Sequence, residues 1–215
     1  MTGHARRLAP LFASHITNPS GCRLILLTKS ANVHYLEQVP RENIVVTFSL
    51  NPQAIADLWE GRFNDGTRVT PSIAERLDAS LRAQRWGFEV RWRIDPIIPG
   101  EHWQEIYGAF FSAAARDGHK PTCITMGMYH ELQPSLRTFS GRWGLPPMEW
   151  TPPVLEHDGW HYHLPGSLRR EVYTQLLGAI RSAWSGVGVP IVALCKEPHD
   201  LQHELGLDHD LCNCG

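Results

Sequence analysis

A regular alternation of short apolar runs and amphipathic segments constrains the fold of this chain more than any other feature. The runs have the length and the aliphatic, β-branched composition of buried strands, and they cover residues 23–28, 43–49, 88–94, 122–129 and 189–195. Because strands that alternate with helices pair in parallel through right-handed crossovers, the sequence predicts an α/β fold with about five parallel strands and helices outside.

The helical segments are recognised by their periodicity and by their first residues. Thr70 and Pro71 form a helix-start pattern ahead of an apolar four-residue repeat. Ser167 occupies the capping position of a helix over residues 168–184, and another apolar face covers residues 103–114. Each predicted helix therefore lies between two predicted strands.

The third predicted strand has one apolar face and one charged face. Its apolar positions alternate with Glu89, Arg91, Arg93 and Asp95. A parallel strand covered by helices is normally apolar on both faces, and buried charge needs a partner or water. Two explanations stay open at this point: an incomplete barrel whose interior holds a ligand, or an edge strand with one solvated face.

The composition limits the cellular compartments and the binding partners to be expected. A chain of 215 residues with 42% hydrophobic residues has the size and the core of a single domain. The sequence contains no run of about 18 apolar residues and no signal-peptide pattern, so we expect a cytoplasmic protein without membrane contact. The formal net charge of −2 does not favour nucleic acid as a partner, although a local basic patch could still bind it.

Residues 131–166 interrupt the alternation of strands and helices. They contain six prolines and little periodicity, which predicts an irregular lid or hairpin inserted over one end of the sheet. Their aromatic and basic side chains could stack on bases and pair with phosphates, or could form a small satellite core. These side chains are Arg137, Arg142, Trp143, Trp150, Trp160 and Tyr162.

Polar residues cluster just past the ends of the first three predicted strands. They are Lys29 and Ser30, Ser49 and Asn51, and Arg93 and Asp95. Ligands of parallel α/β folds lie at the carboxyl ends of the strands, so these groups predict a site that could hold a carboxylate, an amine and a sugar. The motifs of common serine hydrolases, P-loop proteins, zinc peptidases and dinucleotide-binding folds are absent from the sequence.

The C-terminal tail, residues 195–215, contains three of the five cysteines. Cys195 follows a predicted strand, and Cys212 and Cys214 form a C-x-C pair. Three thiolates could hold zinc or an auxiliary iron–sulfur cluster, and the alternative is a reduced trio without a ligand. The odd number of cysteines argues against a disulfide framework.

Four motifs follow one another along the chain: T-K-S at residues 28–30, F-S-L-N at 48–51, T-P-S-I-A-E-R-L at 70–77 and R-I-D-P-I at 93–97. Together with the C-K-E and C-N-C steps of the tail, they resemble the later strands of the spore photoproduct lyase family of radical SAM proteins. The resemblance runs from about residue 20 to the C-terminus.

This resemblance implies a partial (β/α) barrel that binds a [4Fe–4S] cluster and S-adenosylmethionine in its interior. Founding members of the family reverse a thymine dimer lesion in DNA by radical chemistry, so the resemblance favours an enzyme of the lyase class. By resemblance, the residues that contact the amino-acid end of S-adenosylmethionine, or lie next to those contacts, are Lys29, Ser49, Ser30 and Asn51. Arg93 and Asp95 line the floor of the pocket and are the catalytic candidates.

The sequence departs from the family pattern in one respect. Radical SAM chemistry needs three thiolates in a C-x3-C-x2-C loop, and this motif is absent from the sequence. The chain is expected to be a fragment, a partner of a separate chain that supplies the missing N-terminal half, or a degenerate domain. Each case predicts that the strand over residues 23–28 exposes an edge, which a missing half or a second copy could cover, and that the chain alone is inactive. The alternative function is a non-catalytic metal- or nucleotide-binding module that uses the cysteine trio.

Overall fold

The computed structural model describes residues 4–61, 63, 65–131, 155–157 and 162–207. Its strands are β1 (Leu24–Thr28), β2 (Ile44–Leu50), β3 (Glu89–Ile97), β4 (Cys123–Met128), β5 (His130–Glu131), β6 (Glu156–His157), β7 (Tyr162–His163) and β8 (Ile191–Leu194). Its helices are α1 (His4–Ala13), α2 (Gln53–Trp59), α3 (Ile73–Arg85), α4 (Trp103–Arg116), α5 (Gly166–Ala183) and α6 (His199–Glu204), with a 3-10 helix over His34–Gln38.

The main sheet has five strands in the order β1-β2-β3-β4-β8, and every neighbouring pair is parallel. This confirms the predicted α/β fold and the five predicted strands. In the described residues the sheet does not close into a barrel, because β1 and β8 are both edge strands. The charged strand β3 lies in the centre, so the explanation of its charges by an edge position is wrong.

The helices and the apolar side chains share one face of the sheet. Alternate residues of the strands pack with α3, α4 and α5 into a single buried cluster. At its centre, the Trp92 ring contacts the rings of Trp184 and Phe110 at centroid distances of 5.9 and 6.1 Å. The Trp92 indole N–H donates to Ser80 Oγ on α3 at 2.9 Å, which satisfies its polar group in the core. The opposite face of the sheet therefore carries the polar residues.

Two predicted helix starts are wrong by a few residues. The N-cap of α3 is Ser72 rather than Thr70, because Ser72 and Glu75 bond to each other's backbone N–H in a reciprocal capping box. The hydroxyl of Thr70 instead donates to Glu60 at 2.7 Å. Helix α5 follows Pro165 and has no side-chain cap, so Ser167 lies inside its first turn.

Helix α1 was not predicted, and it packs beside the 3-10 helix and the edge strand β1. Its Ala5 and Ala9 are buried, and the Asn43 amide donates to the Phe12 carbonyl in its last turn at 3.0 Å. In the described residues β1 has no strand on its outer side, and Leu27, on the polar face of β1, is 50% exposed. Among the described residues, the helices are all too short or too polar to cross a bilayer.

Arg76 ties α3 to the end of β2 through a fully buried guanidinium. Its Nη1 donates to the Ser49 carbonyl at 3.2 Å, and its Nε donates to the Pro71 carbonyl at 2.9 Å. The same guanidinium forms an ion pair with Glu60, the residue that ends α2. One cation thus fixes two helices on the strand whose end carries a predicted site residue.

We predict that Arg76→Met destabilises the fold by about 3–5 kcal/mol, because Glu60 and two carbonyl groups lose their buried partner. Arg85→Met is the matched control, since Arg85 lies on the same helix and is exposed. The control should change the free energy of unfolding by less than about 0.5 kcal/mol. Urea denaturation followed by circular dichroism measures both, and equal effects of the two substitutions would contradict the assigned role.

Candidate cofactor and substrate site

The polar face of the sheet is built by register. Ser49, Arg93 and Thr125 are Cα partners on β2, β3 and β4, so their side chains form one row across the centre of the sheet. The row before it contains Thr47 and Arg91. Residues two apart in a strand point to the same face, which places these side chains opposite the helices. The face is therefore a polar, largely buried surface at the carboxyl half of the parallel strands.

Arg93 joins two predicted site residues that the sequence had left apart. Its Nε and Nη2 donate to Asp95 Oδ2 at 3.1 and 2.7 Å. Its Nη2 also lies 3.2 Å from the Sγ of Cys195, which is buried at the end of β8. The cysteine predicted as a metal ligand is therefore in contact with Arg93, one of the two catalytic candidates.

Gly127 on β4 provides the space in which the Asp95 carboxylate lies. A Cβ atom at this position would be 2.9 Å from Asp95 Cγ and 3.0 Å from Asp95 Oδ2. These distances are too short for any side chain, so only glycine lets the carboxylate rest against the sheet. Gly127 thereby sets the position of Asp95 and, through it, of the Arg93 guanidinium.

The other charges of β3 are paired in the same way. Arg91 Nε donates to Glu89 Oε1 at 2.7 Å, two residues away on the same face, and Arg23 forms a second ion pair with Glu89. Partners two residues apart lie close together along a strand. A central strand thus carries four charged residues because each cation has a carboxylate next to it.

Lys29 and Ser30 lie in a different local environment. Lys29 Nζ donates to Glu60 Oε1 at 2.6 Å, which connects it to Arg76 rather than to the Arg93 group. Ser30 forms a tight turn after β1, in which its Oγ accepts from the Asn32 N–H at 3.0 Å. Within the described part of the chain, the bonds of Lys29 and Ser30 go to residues other than Arg93, so their cofactor role stays a prediction.

Asn51 holds the segment that follows β3. Its amide Nδ2 donates to the Pro96 carbonyl at 3.0 Å, and its Oδ1 accepts from the Tyr107 hydroxyl at 3.0 Å. That hydroxyl also accepts from the Ile98 N–H at 3.2 Å. Burial raises the pKa of Tyr107, which keeps it a neutral donor. The cofactor role of Asn51 stays a prediction, and the observed contacts make it a connection between β2, β3 and α4.

A second polar cluster lies past the ends of β4 and β8, and sequence reasoning missed it. Tyr173 donates to Glu197 Oε1 at 2.7 Å, and Arg169 forms an ion pair with the same carboxylate. Burial raises the pKa of Glu197, against the opposing effects of Tyr173 and Arg169. The Tyr173 hydroxyl also accepts from the Met128 N–H at 2.9 Å, so this cluster anchors α5 to the sheet.

Two histidines meet at the start of the small antiparallel sheet β5-β7-β6. His130 and His163 are register partners, and their Nδ1 atoms lie 2.8 Å apart. Burial and then His163 lower the pKa of His130 to about 4, which Asp95 opposes. Because 33 residues separate the two histidines, the sequence analysis did not predict their contact. Most of residues 131–166 lie outside the described residues, so the predicted lid stays a prediction.

The described residues contain no group of three or more histidine, cysteine, aspartate or glutamate side chains that could hold a metal ion. Cys212 and Cys214 lie outside the described residues, so zinc or an auxiliary cluster on the cysteine trio stays a prediction. The described residues likewise do not fit a [4Fe–4S] cluster, which needs several thiolates at one place.

The fold resembles solved structures of one enzyme. Spore photoproduct lyase in complex with dinucleoside spore photoproduct is 18% identical, with a TM-score of 0.68. A mutant of it with bound AdoMet and dinucleoside spore photoproduct is 17% identical, also with a TM-score of 0.68. The alignments cover 89% of this chain and 54% of those chains, so the chain spans about half their length.

These structures confirm, at the level of the fold, the resemblance that the motifs indicate. No family model matches the chain, and no curated protein matches it. At this identity the similarity establishes the architecture, and the role of individual residues has to be argued from the site itself.

We predict that Gly127→Ala destabilises the fold by about 1–3 kcal/mol, because the new methyl group displaces the Asp95 carboxylate. Gly178→Ala in α5 is the matched control, since a Cβ there meets no atom within 4 Å. The control should instead stabilise the helix, by roughly 0.5–1 kcal/mol. Thermal unfolding measures both, and a Gly127→Ala protein as stable as the wild type would contradict the tight contact.

The ion pairs of Glu60 predict a dependence of stability on acid. Burial opposes ionisation, but hydrogen bonds from Arg76, Lys29 and Thr70 outweigh it and lower the pKa of Glu60 from 4.5 to about 2. The charged form therefore stabilises the fold above about pH 4.5, and this contribution is lost as the pH falls toward 2. Urea unfolding at a series of pH values should show that the free energy of unfolding falls less with acid for Glu60→Gln than for the wild type. Equal falls in the two proteins would contradict the assigned role of the Glu60 carboxylate.

Proposed function

We propose that this chain binds S-adenosylmethionine on its polar face and forms the cofactor- and substrate-binding part of a radical SAM lyase similar to spore photoproduct lyase, acting on a DNA photolesion. The observation that carries the proposal is the row of Ser49, Arg93 and Thr125 at the carboxyl half of parallel strands. Support comes from the similar fold of a spore photoproduct lyase mutant whose structure contains bound AdoMet and dinucleoside spore photoproduct.

The chemistry of the row suits the amino-acid end of S-adenosylmethionine. A carboxylate is bound best by a guanidinium and a hydroxyl, which Arg93 and Ser49 supply, and an ammonium group is bound by a carboxylate such as Asp95. Thr47 lies two residues before Ser49 on the same face of β2. It is fully buried, and its Oγ1 has no hydrogen-bond partner among the described residues. An unsatisfied buried hydroxyl on this face is the kind of group that a polar ligand satisfies.

Lys29 enters the proposal as a neighbour of Ser49. It directly follows Thr28, whose Cα partner is Phe48, so its backbone lies beside that of Ser49. Its ammonium is partly exposed and is bound to Glu60. In this proposal Lys29 adds positive charge at the entrance, while Ser30 and Asn51 shape the surrounding backbone.

The proposal gives this chain binding and positioning roles only. S-adenosylmethionine supplies a 5′-deoxyadenosyl radical when an iron–sulfur cluster cleaves it, and the described residues do not fit such a cluster. No cluster ligand and no radical step is therefore assigned to these residues. The chemistry that remains to them is to orient the amino-acid end of the ligand and to exclude water from the polar face.

Isothermal titration calorimetry with S-adenosylmethionine tests the proposal. Arg93→Met and Ser49→Ala should weaken binding by about tenfold or more, the cost of losing one charged hydrogen bond. Arg68→Met is the control, because Arg68 pairs with Asp57 on the exposed surface. Binding of 5′-methylthioadenosine, which lacks the amino-acid end, should be unchanged in both site variants. A wild-type chain that does not bind S-adenosylmethionine would refute the proposal.

A further inference from the structure

Two histidines connect the small antiparallel sheet to the end of β4. His130 begins β5, one residue after the end of β4, and it is the register partner of His163 on β7. Their Nδ1 atoms lie 2.8 Å apart, and their rings meet edge to face with centroids 4.9 Å apart. In the described residues β5 and β7 pair at two positions, so the contact between the rings is a main connection between these strands.

This contact requires that at least one of the two rings is uncharged. A hydrogen bond between two imidazole nitrogens uses one N–H and one lone pair, so one Nδ1 donates and the other accepts. A pair of neutral rings meets this condition, and so does a pair that carries one extra proton. Two imidazolium rings do not meet it, because each then has an N–H at Nδ1 and a positive charge.

The surroundings of His130 oppose a positive charge on its ring. Its Nε2 is buried without a hydrogen-bond partner among the described residues, so the N–H of a charged ring would lack an acceptor there. Lys196 and Arg169 add positive charge nearby, and Asp95 opposes them with a negative charge. Burial and then the charge of His163 are the larger effects, so His130 takes the second proton of the pair.

His163 has carboxylates on the elements around it. Glu156 on β6 is its register partner, and Glu197, after β8, is close enough for the charge of His163 to act on it. The groups that act on the histidine pair therefore come from the end of β3, from β6, from α5 and from the segment after β8. They are part of the two polar clusters at the carboxyl end of the sheet.

We propose that His130 and His163 form an acid-sensitive latch between β5 and β7. With at least one neutral ring the latch is closed and holds β7 beside the end of β4. When both rings are protonated they repel each other, and β5 separates from β7. Because Asp95 acts on His130, this separation changes the polar face beside a predicted catalytic residue. The latch needs no ligand, so it can be tested whether or not the chain binds S-adenosylmethionine.

The size of the expected effect follows from the linkage between protonation and opening. In the open form His130 has the ordinary histidine pKa of 6.5, whereas in the closed form its pKa is about 4. The closed form is therefore fully favoured above about pH 6.5, and this advantage is lost as the pH falls toward 4. Each pH unit between the two values favours opening by a factor of about ten, which gives a limit of roughly 300-fold.

Hydrogen exchange and imidazole NMR on the full chain test the latch. The protection factors of the paired amides of β5 and β7 should fall by about 100-fold between pH 7 and pH 4. The proton shared by the two Nδ1 atoms should give an imidazole N–H signal at pH 7 that disappears as the pH approaches 4. An unchanged protection factor in the wild type, or titration of His130 at the ordinary pKa of histidine, would overturn the proposal.

His130→Asn separates the latch from other acid-sensitive groups. The asparagine amide can still bond to His163 but does not titrate, so the acid-induced loss of protection should shrink to less than about threefold. His157→Asn on β6 is the matched control, because His157 is exposed in the same small sheet and should keep the wild-type response. Circular dichroism checks folding, and His163→Asn is the second variant, with the same expected result. A wild-type acid response in both latch variants would assign it to Asp95 or Glu197 and refute the latch.

Discussion

The structure depends on the two unlike faces of β3. This strand lies in the middle of a parallel sheet, where water reaches neither face freely, yet every second residue is charged. The charges are tolerated because each guanidinium is bound to a carboxylate two residues away, Arg91 to Glu89 and Arg93 to Asp95. The remaining residues of β3 face the helices and form the core. Among the described residues, helices α3, α4 and α5 therefore pack on one side of the sheet, and the polar side chains of β3 lie on the other.

The residues near the polar face are of two kinds. Some have side chains on the face itself, and others fix the backbone segments around it. Arg93 contacts both Asp95 and Cys195, and Gly127 leaves space for the Asp95 carboxylate by having no side chain. Asn51 belongs to the second kind, because its amide is bound to the segment after β3. Predicted cofactor residues can thus differ in role even when they follow neighbouring strands at similar positions.

The elements of the fold could be predicted because they are encoded locally. The apolar runs and the helical repeats each need only a few consecutive residues, and all five strands were found in this way. The start of α3 was misplaced because Thr70 and Ser72 are both good capping residues, and the choice between them depends on Glu75.

The contacts of the site could not be predicted in the same way. Cys195 is 102 residues from Arg93, and His130 is 33 residues from His163. Contacts of this kind depend on strand order and register, which are properties of the whole sheet. Gly127 was also missed, because a glycine in a strand carries no sign of the carboxylate that rests on it.

The alternation of β3 has a consequence for how the chain reaches its fold. If β3 paired with its neighbours one residue out of step, its charged side chains would enter the layer around Trp184 and Phe111, and Trp92 would leave it. The pairs Arg91–Glu89 and Arg93–Asp95 would move together into this apolar layer, where the cost of desolvating an ion pair can exceed its attraction, so misaligned sheets are disfavoured. The charges that form the polar face therefore also favour the correct register of β3 during folding.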